Sequence, residues 1–104
     1  MARIAFKMIL KPGFAREYEE RHNRIWPALK TLLEEKGVYD YSIFLDEETN
    51  TLFAVQKSNQ KEGSQDLAKN EIVQQWWKYM SDIMETNPDY SPVSTPLKEV
   101  FRLE

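Results

Sequence analysis

The sequence predicts an α+β fold with the element order β-α-β-β-α-β. Short segments in which apolar residues alternate with other residues occur near both ends and in the middle of the chain, and such alternation is typical of strands. Two longer segments carry apolar residues every three or four positions, which is typical of helices. This order is that of the ferredoxin-like split β-α-β unit.

The alternating segments predict four strands, at residues 3–10, 38–45, 51–56 and 97–103. The polar segment 46–50 lies between the second and third strands and predicts a hairpin turn. Residues 87–96 contain Pro88, Pro92 and Pro96, and we expect this segment to be irregular.

The first predicted helix begins after Gly13 and ends before Gly37, a residue type that suits a C-terminal cap. The second predicted helix covers about residues 65–84. Pro27 interrupts the first helix because it cannot donate a hydrogen bond to the carbonyl of Asn23. We therefore expect a kink or a break one turn after His22. A break would leave backbone groups free for water or a ligand, whereas a simple bend would have no functional consequence.

Both faces of the predicted sheet are apolar, although two helices can cover only one of them. The residues expected on the uncovered face include Ala5, Ile9, Val38, Phe44, Phe53 and Val55. Something apolar should therefore cover this face. A second copy of the chain, packed sheet against sheet, is the simplest candidate, so we expect a homodimer.

The composition excludes several classes of protein. The 104 residues, 41% of them hydrophobic, predict a single domain at 1–104, and the net charge of −3 gives no basis for binding nucleic acid or an anionic membrane. No apolar segment approaches the ~18 residues of a membrane span. The chain has no cysteine, so a cytoplasmic location is expected, and its single histidine makes a zinc site improbable.

His22 is the first candidate for chemistry, because histidine is the side chain whose ordinary pKa allows acid and base roles near neutral pH. It shares a helical face with Tyr18, four residues earlier, and both should point inward. A hydrogen-bonded core histidine is the alternative. The expected break at Pro27 favours a pocket wall over plain core.

Aromatic side chains supply the remaining candidates. Trp76 and Trp77 point about 100° apart on a helix, so one should pack and the other should reach a pocket rim or an interface. Tyr39 and Tyr41 should share one face of the second strand, where they either line a pocket or pack in the core. Asp89 either orients a catalytic group or forms a turn.

Three motifs taken together resemble the L-rhamnose mutarotase family. They are Tyr18-x-x-x-His22-Asn23-x-Ile25-Trp26-Pro27, then Trp76-Trp77-Lys78-Tyr79-Met80-Ser81-Asp82-Ile83-Met84, and Asn87-Pro88-Asp89-x-Ser91-Pro92-Val93 followed by Glu99-Val100-Phe101. The resemblance extends over nearly the whole chain.

This resemblance implies a cytoplasmic homodimer of the dimeric α+β barrel type that interconverts the α and β anomers of L-rhamnose without cofactor or metal. It implies that His22 is the catalytic proton donor. It further implies that the sugar contacts Tyr18, Tyr41, Trp76 and Trp77.

One departure and two alternatives accompany the resemblance. Relatives tend to carry a tryptophan near the start of the second helix, where this chain has Gly63, so we expect a looser region there. Dimeric α+β barrels also include haem-binding proteins and cofactor-free monooxygenases, because a fold does not fix a function. A non-catalytic sugar-binding dimer is the second alternative.

Overall fold

A computed structural model describes residues 2–60 and 63–104. Its strands are β1 (Ala2–Ile9), β2 (Val38–Asp46), β3 (Thr51–Ser58) and β4 (Ser94–Pro96). Its α-helices are α1 (Ala15–Asn23), α2 (Pro27–Glu35) and α3 (Glu71–Met80), and a short 3-10 helix covers Ser64–Asp66. No helix in the described part of the chain is long and apolar enough to cross a membrane.

The four strands form one antiparallel sheet in the order β2-β3-β1-β4. This is the strand order of the ferredoxin-like unit, and it confirms the predicted α+β fold class. The helices cover one face of the sheet, and the hydrophobic core lies between the helices and this face. Its fully buried side chains include Leu10, Leu52, Met80 and Ile83.

The predicted break at Pro27 is confirmed, because α1 ends at Asn23 and α2 begins at Pro27. Pro27 occupies the first position of α2, where a missing N–H breaks no helical hydrogen bond. Trp26, just before it, is extended with φ −59° and ψ 128°, as a residue before proline prefers. At the other end of α2, Gly37 has a φ of +84° and donates its N–H to the Glu34 carbonyl, which confirms the expected cap.

The second predicted helix was too long at both ends. Asn70 caps α3, since its side-chain oxygen accepts hydrogen bonds from the N–H groups of Ile72 (2.9 Å) and Val73 (3.4 Å). The preceding residues of the predicted helix, from Gln65, form part of the 3-10 helix and the connection to Asn70. Beyond the C-terminal end of α3 the pattern continued because Ile83 is buried in the core, whereas Ala68, before α3, is exposed.

The fourth strand was predicted in the wrong place. β4 pairs with β1 from Ser94 to Pro96, inside the segment that was expected to be irregular. Pro96 is tolerated because β4 lies at the sheet edge, where a missing N–H need not break a ladder bond. Residues 97–103 follow without regular secondary structure, and Val100 and Leu103 are nearly fully exposed.

A β-bulge in β2 separates two tyrosines that were predicted to share a face. Tyr39 pairs with Lys57, whereas Asp40 and Tyr41 both stand opposite Gln56 before regular pairing resumes at Ser42. Asp40 has a φ of +48°, which accommodates the extra residue. The alternation is therefore shifted by one position, so that Tyr41 faces the helices and Tyr39 belongs to the opposite face. The same shift buries Val38 under the helices, although it was expected on the uncovered face.

The other face of the sheet remains open in the single chain. Ile9, Phe44, Phe53 and Val55 lie on it and are all at least one-third exposed, and Phe44 is 64% exposed. Phe44 pairs with Phe53 in the register, so the two side chains are neighbours on this surface, which we call the outer apolar face.

Candidate active site

A cavity of about 1280 Å³ opens between the helices and the inner face of the β2 side of the sheet. Four of its apolar lining residues are Ile43, Leu45, Leu52 and Val73. Its aromatic and polar lining includes Tyr18, His22, Tyr41, Ser64, Trp76 and Trp77. Apolar walls with a few converging polar groups are typical of sites for small molecules. The structure thus brings together His22 and all four aromatic residues expected to contact a ligand.

His22 lies in a cluster of aromatic rings. Its ring stacks on that of Tyr18, with centroids 4.2 Å apart and planes 28° apart. Trp76 meets the imidazole edge to face, with a centroid distance of 5.5 Å. Tyr18 and Trp76 are buried. These contacts restrict rotation of the imidazole, and such restriction favours a defined direction for proton transfer.

The tautomer of His22 follows from its hydrogen bond. Nδ1 lies 2.9 Å from the backbone oxygen of Tyr18, and a carbonyl oxygen can only accept, so Nδ1 carries the hydrogen. In the neutral ring, Nε2 then holds the lone pair. Burial lowers the pKa of His22, and the bond to the Tyr18 carbonyl opposes this only in part. At neutral pH the ring is mainly neutral and can accept a proton at Nε2.

The two tyrosines of the cavity remain protonated over the physiological pH range. Burial raises the pKa of Tyr18 well above its ordinary value, and the nearby Tyr41 adds to the increase. Burial also raises the pKa of Tyr41, while hydrogen bonds with Ser64 and Gln56 oppose this. Both phenols therefore offer hydrogen bonds as neutral groups.

The tryptophan pair differs from the expectation that one member would pack and the other reach a rim or an interface. Trp76 and Trp77 are both buried, with exposed fractions of 8% and 6%, and both line the cavity. Trp76 also contacts Trp26 edge to face at 5.1 Å. Trp77 also lines a second, smaller depression together with Tyr90.

Asp89 lies outside the cavity and stabilises a turn, which was one of its two predicted roles. It is exposed, and its carboxylate accepts hydrogen bonds from the N–H and the hydroxyl of Ser91. These bonds hold the pKa of Asp89 below its ordinary value. Asp89 lies on the rim of a second depression, beside Tyr90 and Trp77, and it does not contact His22.

Two polar residues were not found from the sequence: Ser64, which lines the cavity, and Gln56, its buried hydrogen-bond partner. Gln56 is fully buried on β3; its Nε2 donates to Ser64 Oγ at 2.8 Å, and its Oε1 accepts from the Ser64 N–H at 2.7 Å. The sequence feature that could have indicated Gln56 is its position two residues after Ala54, in the alternation that places Leu52 and Ala54 in the core. A polar residue there requires buried partners.

Gly63 departs from the expectation of a looser region. It is buried, and its N–H donates to Asp66 Oδ2 at 2.9 Å. A Cβ at this position would overlap Gln56 Oε1 and lie 2.9 Å from Ile4 Cδ1. The absence of a side chain lets the backbone approach Gln56 closely; the neighbouring positions 61–62 lie outside the described residues.

Arg21 joins the helix that carries His22 to the end of α3. Its guanidinium donates to both carboxylate oxygens of Asp82, at 2.9 and 3.1 Å, and to the Tyr79 carbonyl at 2.8 Å. A further bond, to Glu17, runs within α1. Because α1 holds Tyr18 and His22 while α3 holds Trp76, this contact fixes the two walls of the cavity relative to each other.

Metal-ligating side chains do not cluster in this site or elsewhere in residues 2–60 and 63–104, where no group of three His, Cys, Asp or Glu residues could hold an ion. The fold and the cavity together define a small α+β protein whose ring-lined cavity suits a polar organic molecule. Its neutral imidazole suits acid–base chemistry, and its neutral phenols suit hydrogen-bond donation.

Comparison with known proteins identifies the family. The model of the L-rhamnose mutarotase family matches residues 3–103. L-rhamnose mutarotases from Bacteroides thetaiotaomicron and Phocaeicola vulgatus are 64% and 62% identical to the chain, in each case over the whole of both chains. The crystal structure of an L-rhamnose mutarotase from Formosa agariphila superposes with a TM-score of 0.92 at 59% identity, again over both full chains. The chain belongs to the L-rhamnose mutarotase family, whose members are isomerases acting on carbohydrates.

Proposed function

We propose that this protein interconverts the α and β anomers of L-rhamnose by acid–base catalysis of ring opening and reclosure. The observation that supports this best is the neutral His22, held against Tyr18 in a cavity lined by Trp76 and Trp77. The choice of L-rhamnose as the substrate rests on membership of the family.

The reaction requires one proton to leave the anomeric hydroxyl and one to reach the ring oxygen. The C1–O5 bond then breaks to give the open aldehyde, the C1–C2 bond rotates, and the ring closes on the other face. In our proposal, Nε2 of His22 takes the hydroxyl proton, directly or through water, and the imidazolium returns a proton to the ring oxygen. The sum of charges and protons is unchanged, and no second ionisable group is required.

The tyrosines support this transfer as hydrogen-bond donors. Their raised pKa values keep Tyr18 and Tyr41 protonated, so they can stabilise developing negative charge on a sugar oxygen without giving up a proton. A positioned acid–base group contributes about 10²–10⁴-fold to the rate. Because anomers already interconvert in water, an acceleration of this size is sufficient.

The tryptophans suit the apolar parts of a 6-deoxy sugar. Each offers a flat ring and one N–H donor, so the C–H faces of the sugar can stack while a hydroxyl accepts a hydrogen bond. Burial of the C6 methyl group contributes about 1 kcal/mol. We propose that Trp76 or Trp77 provides this contact and thereby favours L-rhamnose over sugars with a C6 hydroxyl.

Saturation-transfer NMR of L-rhamnose tests the proposal. Wild type should accelerate exchange between the two anomers, and His22→Ala should lose most of that acceleration. Asp89→Asn is the matched control, since Asp89 lies outside the cavity, and it should behave as wild type. Sugar binding without faster exchange by wild type would refute the catalytic proposal, and full activity of His22→Ala would refute the role of His22.

We also propose that two copies form a homodimer through the outer apolar face. Phe44 and Phe53 meet in adjacent strands there, and an apolar surface left open in a single chain marks an interface. Val100, Phe101 and Leu103 are further exposed apolar side chains that a second copy could cover.

Light scattering after size-exclusion chromatography tests this dimer. Phe44→Glu places a charge on the outer apolar face, at its most exposed phenylalanine, and should give a monomer. Thr31→Glu, on the exposed side of α2, is the control and should leave the mass unchanged. A wild-type monomer at micromolar concentration would refute the dimer.

Two further expectations remain predictions. We propose that residues 1–104 unfold as one domain, so that circular dichroism and tryptophan fluorescence should report the same midpoint. We also propose a cytoplasmic location, which fractionation of cells that express the protein would test.

A further inference from the structure

We propose that Trp26 is a positioning residue whose indole holds Trp76 in the orientation in which Trp76 meets both His22 and the bound sugar. Trp76 lines the cavity, whereas Trp26 is not part of the lining in the described residues. Trp26 therefore acts on the site through a neighbouring side chain rather than by contact with the ligand. The sugar contact of Trp76 belongs to the proposed function, on which this inference rests.

Trp76 makes three ring contacts, and two of them are nearly perpendicular. Its ring centroid lies 5.5 Å from that of His22, with the planes 88° apart. Trp26 lies on it at 5.1 Å, with the planes 86° apart, and Tyr79 at 5.6 Å, with the planes 54° apart. Perpendicular pairs are favoured because the positive edge of one ring meets the negative face of the other. Rotation of the Trp76 side chain would disturb all three contacts.

Trp26 is itself fixed by its place in the chain. It precedes Pro27, which keeps its backbone extended, with φ −59° and ψ 128°. Its carbonyl accepts a hydrogen bond from the N–H of Lys30 at 3.0 Å, in the first turn of α2. The break between α1 and α2 therefore does more than end a helix, because it places a held indole against Trp76.

Tyr79 completes a cluster in which Trp26, Trp76 and Tyr79 contact one another pairwise. Its ring centroid lies 5.6 Å from that of Trp26, and the guanidinium carbon of Arg21 lies 4.5 Å from the centre of its ring. Tyr79 is 43% exposed, whereas Trp26 is partly buried and packs against the core. Of the two rings beside Trp76, Trp26 thus gives the better covered support.

A double-mutant cycle that is measured on His22 tests the inference without substrate. His22 is the only histidine, so its imidazole Cε1–H gives one proton NMR signal, and the ring current of Trp76 shifts that signal. Trp26→Met removes the ring but keeps a flexible apolar side chain, and it should shift the His22 signal because Trp76 moves. In the Trp76→Leu background, the same substitution should leave the signal where it is.

The same cycle is then measured on kcat/KM for L-rhamnose. Trp26→Met should lower kcat/KM about two- to tenfold, the strength of one aromatic pair. It should cause no further loss in the Trp76→Leu background, since both changes remove the same contact. Trp26→Phe restores a ring, and it should recover most of the activity and bring the His22 signal back toward its wild-type position.

Leu32→Ala is the control for lost packing near Trp26. Leu32 lies on α2, packs against the core and lies outside the lining of the cavity. Its truncation should lower Tm but should change neither the His22 signal nor kcat/KM. A shift of the His22 signal in this variant as large as in Trp26→Met would show that the signal reports general loosening and would overturn the inference.

The outcomes separate the inference from the proposed function. If Trp26→Met shifts the His22 signal equally in both backgrounds, or in neither, Trp26 does not position Trp76, and the mutarotase activity is unaffected by that conclusion. If wild type accelerates no anomer exchange, the proposed function fails, while the signal cycle still decides whether Trp26 holds Trp76 against His22. If Trp26→Met does not fold, Trp26→Phe enters the cycle in its place, and the same criteria apply to its smaller shift.

Discussion

Gly63→Ala should destabilise the protein by an amount that can be worked from the structure. The new Cβ would overlap Gln56 Oε1 and lie 2.9 Å from Ile4 Cδ1, so Gln56 must move. Movement weakens the buried bond from the Ser64 N–H, which costs about 1–3 kcal/mol, and overpacking adds about 1–3 kcal/mol. The total of about 2–6 kcal/mol corresponds to a fall in Tm of roughly 10–30 °C for a domain of this size.

Gly13→Ala is the matched control. Gly13 has a φ of +87° with nothing within 4 Å of an added Cβ, so its replacement imposes backbone strain without a clash. That strain costs about 1–2 kcal/mol. Thermal unfolding followed by circular dichroism compares the variants, and kcat/KM for L-rhamnose should fall only for Gly63→Ala. If Gly63→Ala were as stable as Gly13→Ala, the close packing of Gly63 on Gln56 would be wrong.

Three further predictions concern pH, the contact between helices, and a helix cap. Because burial lowers the pKa of His22, the midpoint of the fall in kcat/KM on the acid side should lie below the ordinary histidine pKa of 6.5. The stability linked to the neutral imidazole should be present above the ordinary pKa of histidine and be lost as the pH falls through the lowered value. An activity loss centred above pH 6.5 would contradict this. Arg21→Met removes the hydrogen bonds to Asp82 and to the Tyr79 carbonyl, so it should lower the free energy of unfolding by about 1–2 kcal/mol and raise KM for L-rhamnose. Asp82→Asn keeps the bond to Tyr79 and should have a smaller effect on both the free energy of unfolding and KM. Asn70→Ala should cost about 1 kcal/mol in urea unfolding, since it removes the cap of α3, and an unchanged midpoint would show that the cap contributes nothing.

Local chemistry made part of the fold predictable from the sequence. Pro27 cannot continue a helix, and Gly37 can adopt a positive φ, so both helix boundaries followed from single residues. The alternation at the start of the chain likewise placed β1 correctly to within one residue at each end. His22 was singled out by its type and by its spacing from Tyr18, whereas the resemblance to the family, and not spacing alone, predicted Tyr41, Trp76 and Trp77 as ligand contacts.

The remaining features depend on contacts between distant parts of the chain. β4 was predicted in the wrong place because the alternation at 97–103 resembled a strand. The residues that pair with β1 lie earlier in the chain, at Ser94–Pro96. Gln56 and Ser64 were missed because neither carries a motif, and only folding brings them together. The apolar pattern at 65–70 extended the predicted α3 because pattern alone does not show that Asn70 caps the helix.

The bulge at Asp40 links the fold to the proposed chemistry most directly. Without the extra residue, strict alternation would place Tyr41 on the face of Tyr39, and the cavity would lose the phenol that stands opposite Gln56. An ion pair between Asp40 and Lys57 Nζ, 3.2 Å long, bridges the bulge to β3. The bulge therefore assigns the two tyrosines to different faces of the sheet. One face encloses the cavity, and the other is the face through which we propose that two copies associate.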